Sequence, residues 1–321
     1  MNSKEYYCSL DDVHHYLEKY GVAVVSDVVS KPECKKNANL AWKEFNKLTS
    51  EMENPIDKKN PATYKTIFEF YPLHAMLLQH FGIGHMQFVW NIRQNINVAK
   101  VFAKLWGCST KELLCSFDGI SFHMPPEITK RGWYKNNNWL HTDQSSLKPD
   151  LETIQGFVSL YDINENDASL CIYEGSHKYH QDFFKTFDIE SKKDWFKLQN
   201  EEQYKYFVDK QCKQVCIKCK RGSLVLWDSR LFHQGIEPRK ERTEANFRLI
   251  VYICMTPRDR AKEKDLLKKQ KAFNELRMTT HNPHKPILFG KNPRTYGNEL
   301  PSIVPIDKPK LSDLGETLAG F

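Results

Sequence analysis

Two segments far apart in the chain carry residue types that could hold a metal ion. His141-Thr142-Asp143 sets an imidazole and a carboxylate two residues apart. Residues i and i+2 of a strand point to the same face, so both side chains could reach one ion. Two ligands are too few. An iron site of the facial type takes two imidazoles and one carboxylate and leaves the opposite face open. His233 is the candidate for the second imidazole, following Gly222-Ser223-Leu224-Val225-Leu226-Trp227, a run that reads as an antiparallel strand of the same barrel. The rival reading is a surface histidine and an aspartate capping a turn, and spacing alone leaves both open.

A third feature bears on the same chemistry. The run Asn246–Met255 places Phe247, Leu249, Val251 and Ile253 on one face and Arg248, Ile250, Tyr252 and Cys254 on the other. A guanidinium in so apolar a strand needs an anion, because an unpaired buried charge is costly, and a bidentate carboxylate is its natural match. In a facial-triad dioxygenase that carboxylate belongs to 2-oxoglutarate; the alternative is a structural ion pair with an internal Asp or Glu. Arg239 and Arg242, in the charged turn Pro238-Arg239-Lys240-Glu241-Arg242, are expected in solvent. Cys212, Cys216 and Cys219 lack the second pair that a structural zinc site requires and read as ordinary half-buried thiols.

These residues need elements to position them. Ser9 is expected to cap a helix bearing Val13, Leu17 and Tyr20 that stops at Gly21, and Val22–Val25 follows as a short buried strand. Ser30-Lys31-Pro32-Glu33 is a capping box opening a second helix, and Val98–Trp106 forms a third that ends at Gly107. From about residue 113 short apolar runs separated by turn residues predict strands at Leu113–Phe122, Thr153–Asp162, Ser169–Tyr173, Val215–Cys219, Ser223–Trp227 and Asn246–Met255. Such a series indicates a sandwich or jelly-roll barrel. The segment 259–277 is expected to be a basic, solvated helix outside the barrel, and 278–321 to be Pro-rich and irregular. The expected class is mainly β with flanking helices, as a double-stranded β-helix (jelly roll, cupin-like) in one domain. Its parts are a helical N-terminal buttress over about 1–112, a core over about 113–256 and an extension over 257–321.

The 321 residues, 40% hydrophobic and 27% charged, can bury a sizeable core. No apolar run is long enough for a membrane span, and the first residues lack the apolar stretch of a secretory signal. Nine cysteines, an odd number, suit reduced thiols in the cytoplasm. The net charge of +7 is spread along the chain; it permits an anionic small-molecule substrate and is too weak to argue for nucleic acid.

With these residues in view the chain resembles the phytanoyl-CoA dioxygenase family of Fe(II)/2-oxoglutarate-dependent oxygenases. The resemblance runs from about residue 10 to 256. It rests on Trp139-Leu140-His141-Thr142-Asp143-Gln144, the strand Gly156–Asp162, the turn Asn164-Glu165-Asn166-Asp167 and Glu174-Gly175-Ser176-His177-Lys178. It continues through Arg221-Gly222-Ser223, Ser229-Arg230-Leu231-Phe232-His233-Gln234-Gly235 and Phe247-Arg248. Two positions depart from the family pattern: Glu174 stands where Pro is usual, and Gln234 where a small residue often follows the histidine. The resemblance implies Fe(II) held by His141, Asp143 and His233, 2-oxoglutarate anchored by Arg248, and O2 as the oxidant. It also implies hydroxylation of a C–H bond with release of succinate and CO2, since related halogenases lack the carboxylate that Asp143 provides. Trp139, Gln144, Trp227, Arg230 and Gln234 flank these positions and are candidates to touch substrate or support the ligands. The competing expectations are a non-catalytic metal-binding module and a cupin-like enzyme using another divalent metal.

Overall fold

The computed structural model describes residues 6–70, 76–295, 297 and 299–321. Among the described residues thirteen strands form two sheets: β1 (Tyr7–Cys8), β2 (Val22–Val25), β3 (Leu77–Leu78), β4 (Leu113–Cys115), β5 (Ile120–His123), β6 (His141–Thr142), β7 (Ile154–Ser159), β8 (Ser169–Tyr173), β9 (Phe196–Lys197), β10 (Gln214–Cys216), β11 (Leu224–Asp228), β12 (His233–Ile236) and β13 (Arg248–Pro257). The major sheet has the order β1-β2-β11-β7-β13-β5-β3, with β4 paired to the far end of β13; the minor sheet has the order β10-β8-β12-β6-β9. Strands β1 and β2 run parallel, and the other pairs among the described residues are antiparallel. The predicted single strand over 113–122 is two strands, broken at Phe117-Asp118-Gly119, where the Arg93 guanidinium donates to the Asp118 carbonyl.

The period-two pattern explains how the layers stack. In β13, Leu249, Val251, Ile253 and Met255 join a core with the N-terminal helices α1 (Val13–Tyr20), α2 (Lys31–Leu48), α3 (Gln87–Arg93) and α4 (Ile96–Trp106). Ile250, on the opposite face, joins Val22, Val24, Phe157, Val225 and Trp227 of the same sheet and Leu170, Ile172, Val215 and Ile217 from the minor sheet side. The second cluster therefore fills the space between the sheets. A third, with Tyr173, Phe183, Phe184, Phe207 and Phe232, seals the outer face of the minor sheet under α6 (His180–Thr186) and α7 (Glu201–Asp209). Burial of these apolar side chains is the main driving force for layering, at roughly 25 cal/mol per Å² removed from water.

The capping box at Ser30 and Glu33 is formed, with Pro32 in the first turn of α2. Asn95 caps α4, and Gly107 ends it in the left-handed conformation. Helix α1 starts later than expected: Asp12 is its N-cap residue, and Ser9 hydrogen-bonds Asp12 instead of capping. Gly21 stops α1 with a φ of 78°, and a Cβ there would lie 2.6 Å from His177 Nδ1. His177 itself bonds through Nε2 to the Glu18 carbonyl, so it clamps this corner.

The C-terminal segment is more ordered than the sequence indicates. Helix α8 (Glu263–Asn274) buries Ala272 and Phe273 against Trp90 and Phe117, and a short α9 (Asp313–Ala319) adds Ala319 to that cluster. Lys269, expected in solvent, is buried: its ammonium lies over the Phe117 ring and donates to the Cys115 carbonyl. Burial pushes its pKa down to about 7. Among the described residues no helix is long and apolar enough to cross a membrane.

Two core histidines are satisfied only as neutral rings. Trp90 Nε1 donates to His85 Nδ1 at 3.3 Å, while His85 Nε2 faces the Arg277 carbonyl at 2.8 Å. Gln181 Nε2 meets His180 Nδ1, and His180 Nε2 faces the Gln144 carbonyl. Burial lowers their pKa values to about 3 and about 4. An unfolded histidine takes up its proton near pH 6.5, so between that value and the folded one the unfolded state binds more protons, and stability falls as pH falls. Denaturant unfolding at pH 7 and pH 5 should show a loss of about 2 kcal/mol per buried imidazole; equal stability at the two pH values would contradict the neutral assignment.

Candidate metal centre

The minor sheet brings the separated segments together. His233 of β12 is the register partner of His141 of β6, and their rings lie 4.4 Å apart. Asp143, just beyond β6, is fixed by its own N–H donating to the Ser229 carbonyl. Its Oδ1 is 3.7 Å from His141 Nε2 and its Oδ2 is 3.4 Å from His233 Nε2. One ligand atom from each of the three residues falls within 4.8 Å of the others, a spacing that can surround one ion.

The surroundings set the tautomers. His141 Nδ1 faces the Trp139 carbonyl at 3.2 Å, and His233 Nδ1 faces the Leu231 carbonyl at 2.9 Å. A carbonyl only accepts, so each Nδ1 carries the hydrogen and each Nε2 turns a lone pair toward the centre. Burial, with His233 beside it, lowers the His141 pKa to about 3. Burial alone would raise the Asp143 carboxyl, but His141 and His233 outweigh it and hold it well below the usual carboxylate range. At neutral pH neither Asp143 nor His141 has a proton to lose on binding a cation.

Further side chains hold this arrangement. Gln155, at an interior position of β7, donates through Nε2 to Asp143 Oδ2 at 2.9 Å. Sequence spacing does not point to it; the available signal is a polar residue inside an apolar strand. Trp139 stacks on His141 with ring centroids 4.7 Å apart; its N–H donates to Gln234 Oε1 and its indole Nε1 to the Gly235 carbonyl. Gln144 is a buried hub, donating to the Lys148 and Asp150 carbonyls and accepting from Ser229 Oγ and the Glu152 N–H. Arg230 is engaged by Asp228 at 2.7 Å. Trp227 lies 5.4 Å from His233, and its indole N–H is buried without a partner. Trp195, half exposed, lies 6.0 Å from His141 toward solvent.

Arg248 is 3% exposed and lies on the interior face of β13, paired in register with His123 of β5. Its guanidinium donates to Ser121 Oγ and the Ala168 carbonyl and lies over the Phe157 ring. Among the described residues no carboxylate lies within ion-pair distance of it. The half-buried Tyr252 falls within electrostatic range of both Arg248 and Asp143. Both ring nitrogens of His123 are buried without partners, and burial followed by the charge of Arg248 lowers its pKa to about 3.

Arg242 departs from expectation. Its side chain is 2% exposed and bridges Glu127 and Asp167, with the Trp133 ring against the guanidinium. A charged turn looked solvated because its partners come from two other segments. The bridge ties Glu127 of α5 (Pro126–Thr129) to Asp167, with Trp133 from the stretch that leads to His141 packed on it.

One of the two sheets brings an H-x-D pair and a distant histidine together in an arrangement that could hold a metal ion. The chain belongs to the phytanoyl-CoA dioxygenase family, whose model matches residues 17–239. It is 34% identical over 214 residues to the Ava biosynthesis cluster protein O of Aspergillus versicolor, a match covering 64% of this chain and 66% of that one, so the likeness spans just under two thirds of the relative's length. Among solved structures, the hypothetical protein JW0805 of Escherichia coli aligns with a TM-score of 0.58 at 14% identity, over 98% of this chain and 85% of that one. The non-heme alpha ketoglutarate dependent carbocyclase SnoK from nogalamycin biosynthesis aligns with a TM-score of 0.50 at 13% identity, over 80% and 87%. At these identities the two structures speak for the fold alone.

Replacing Arg242 with Leu leaves Asp167 buried beside an apolar side chain. The expected cost is about 3 kcal/mol, measured by denaturant unfolding at neutral pH. A variant as stable as the parent would show that the bridge carries no net stability.

Proposed function

We propose that this protein is an iron(II)- and 2-oxoglutarate-dependent oxygenase that hydroxylates a C–H bond of a small molecule. We further propose that its two sheets form a double-stranded β-helix in a single oxygenase domain, with residues 257–321 as an extension. The observation that carries the reading is the joint presence of the His141, Asp143 and His233 donors and a buried guanidinium, Arg248, that has no carboxylate partner among the described residues. Family membership supports it, and the relative's place in a biosynthesis cluster supports a small-molecule substrate.

The donor set suits iron(II): two neutral imidazoles and one carboxylate on one side leave the other positions for exchangeable ligands. When bound, iron(II) and 2-oxoglutarate supply the oxygen chemistry, in which O2 is consumed, one oxygen atom enters the substrate and the other leaves in succinate alongside CO2. The chain's own residues do the rest. The Nε2 atoms of His141 and His233 and the Asp143 carboxylate would hold the metal, and Gln155 fixes the carboxylate's orientation. Arg248 would receive the remote carboxylate of 2-oxoglutarate, and Ser121 and Tyr252 lie beside it. Phe157, Trp227 and Ile250 line the inter-sheet space with apolar surface and keep water from the reacting centre.

Anaerobic addition of 2-oxoglutarate to the iron(II)-loaded protein should produce a weak visible charge-transfer band that is lost in His141→Ala. Replacing Arg248 with Leu should weaken 2-oxoglutarate binding about 100-fold, the loss expected for a buried carboxylate–guanidinium contact, while iron affinity by calorimetry stays unchanged. Unaltered 2-oxoglutarate affinity in that variant would refute the anchor, and no band in metal-replete protein would refute the oxygenase reading. Replacing Gln155 with Leu should lower iron affinity about 10-fold, as read by chelator competition; undiminished affinity would show that Asp143 is oriented without it.

A further inference from the structure

The cysteines left aside by the site have a partner that sequence spacing hides. Cys216 of β10 is the register partner of Cys171 of β8 across the minor sheet. Flanking hydrogen bonds define the type of pair. The Ile217 N–H donates to the Leu170 carbonyl, and the Glu174 N–H to the Lys213 carbonyl. In an antiparallel ladder bonded and non-bonded pairs alternate, so Ile217 with Leu170 is a bonded pair and Cys216 with Cys171 is a non-bonded one. Non-bonded partners have Cα atoms about 4.5 Å apart, inside the roughly 4.4–6.8 Å window of a disulfide.

Side-chain direction agrees. Leu170, Ile172, Val215 and Ile217 point into the inter-sheet core, which leaves Cys171 and Cys216 together on the outer face of the minor sheet. Cys216 is half-buried and lines a surface cleft with Gln214 and Arg239, whereas Cys171 is buried beneath it. The neighbouring Cys171 thiol, with Arg239 nearby, favours the thiolate of Cys216, while Cys216 and burial raise the Cys171 thiol. The accessible sulfur is thus the nucleophile and the buried one the resolving thiol.

We propose that Cys171 and Cys216 form a dithiol oxidation site that closes to a cross-strand disulfide on reaction with a low-molecular-weight disulfide such as oxidised glutathione. The Cys216 thiolate attacks one sulfur of the oxidant, forming a mixed disulfide and releasing one glutathione thiolate. Cys171 loses its proton and attacks Cys216 Sγ; the protein S–S bond forms and a second glutathione thiolate leaves. The protein gives up two electrons and the oxidant takes them as two thiols. The bond fastens edge strand β10 to β8, which is itself hydrogen-bonded to β12, the strand of His233. Nothing in this chemistry depends on the iron reading.

The test is to incubate the full chain under native conditions with excess oxidised glutathione, block remaining thiols with N-ethylmaleimide, and map peptides without reduction. The expected result is one linked pair joining Cys171 to Cys216, with two of the nine cysteines lost to alkylation. In Cys171→Ser the reaction should stop at a mixed disulfide on Cys216, and Cys216→Ser should remain unlinked. Wild-type protein that keeps both thiols alkylatable, or that holds glutathione on Cys216 without closing the ring, would overturn the proposal. The wild-type map decides the matter even where a serine variant fails to fold.

Discussion

The pairing of His141 with His233 across β6 and β12 is the constraint on which the rest of this molecule turns. Strand β6 is two residues long, too short to hold its place by its own ladder. It is held by β12 on one side and β9 on the other, by the Thr142 hydroxyl and Asp143 N–H on the Ser229 carbonyl, and by Trp139 clamped to Gln234 and Gly235. Slipping the register by one residue would turn His141 to the opposite face and separate the donors. Strand β8, the other neighbour of β12, is anchored on both faces, with Leu170 and Ile172 in the cluster between the sheets and Tyr173 in the one beneath α6 and α7.

Buried charge is the second theme. Asp143, Arg248 and Arg242 all sit inside, but they are stabilised differently. Arg242 has two carboxylates and is complete within the chain. Asp143 has an amide donor and two imidazoles, partners that hold an anion in place and would leave it free to bind a cation. Arg248 has a hydroxyl, a carbonyl and a ring face, partners that orient a guanidinium without neutralising it. An uncompensated cation within an apolar layer costs stability in the free protein and favours whatever anion enters.

The sequence was informative where chemistry or local pattern sufficed. The H-x-D pair, the distant histidine, the embedded arginine, the Ser30 capping box and the Gly107 stop could all be read from neighbouring residues. What escaped were facts of long-range pairing. The turn holding Arg242 looked solvated because Glu127 and Asp167 are far away in the chain. Lys269 looked exposed on a basic helix because the Phe117 ring that covers it belongs to another element. Cys171 and Cys216 lie in unrelated local motifs, and only sheet register places them opposite each other. Gln155 was visible as a polar residue in an apolar strand but had no named role until Asp143 was placed beside it.

Strand β13 is central to the major sheet, flanked by β7, β5 and β4, yet it is the last strand of the described chain. During synthesis the sheet must therefore wait in two halves, β1-β2-β11-β7 and β5-β3, until residue 257 has emerged. Each half then shows a bare apolar edge, and the closing contacts join segments far apart in sequence, which makes the last step slow. A nascent chain stalled before Arg248 is not a smaller version of this protein but a pair of sticky fragments, open to association with other chains or to chaperone capture.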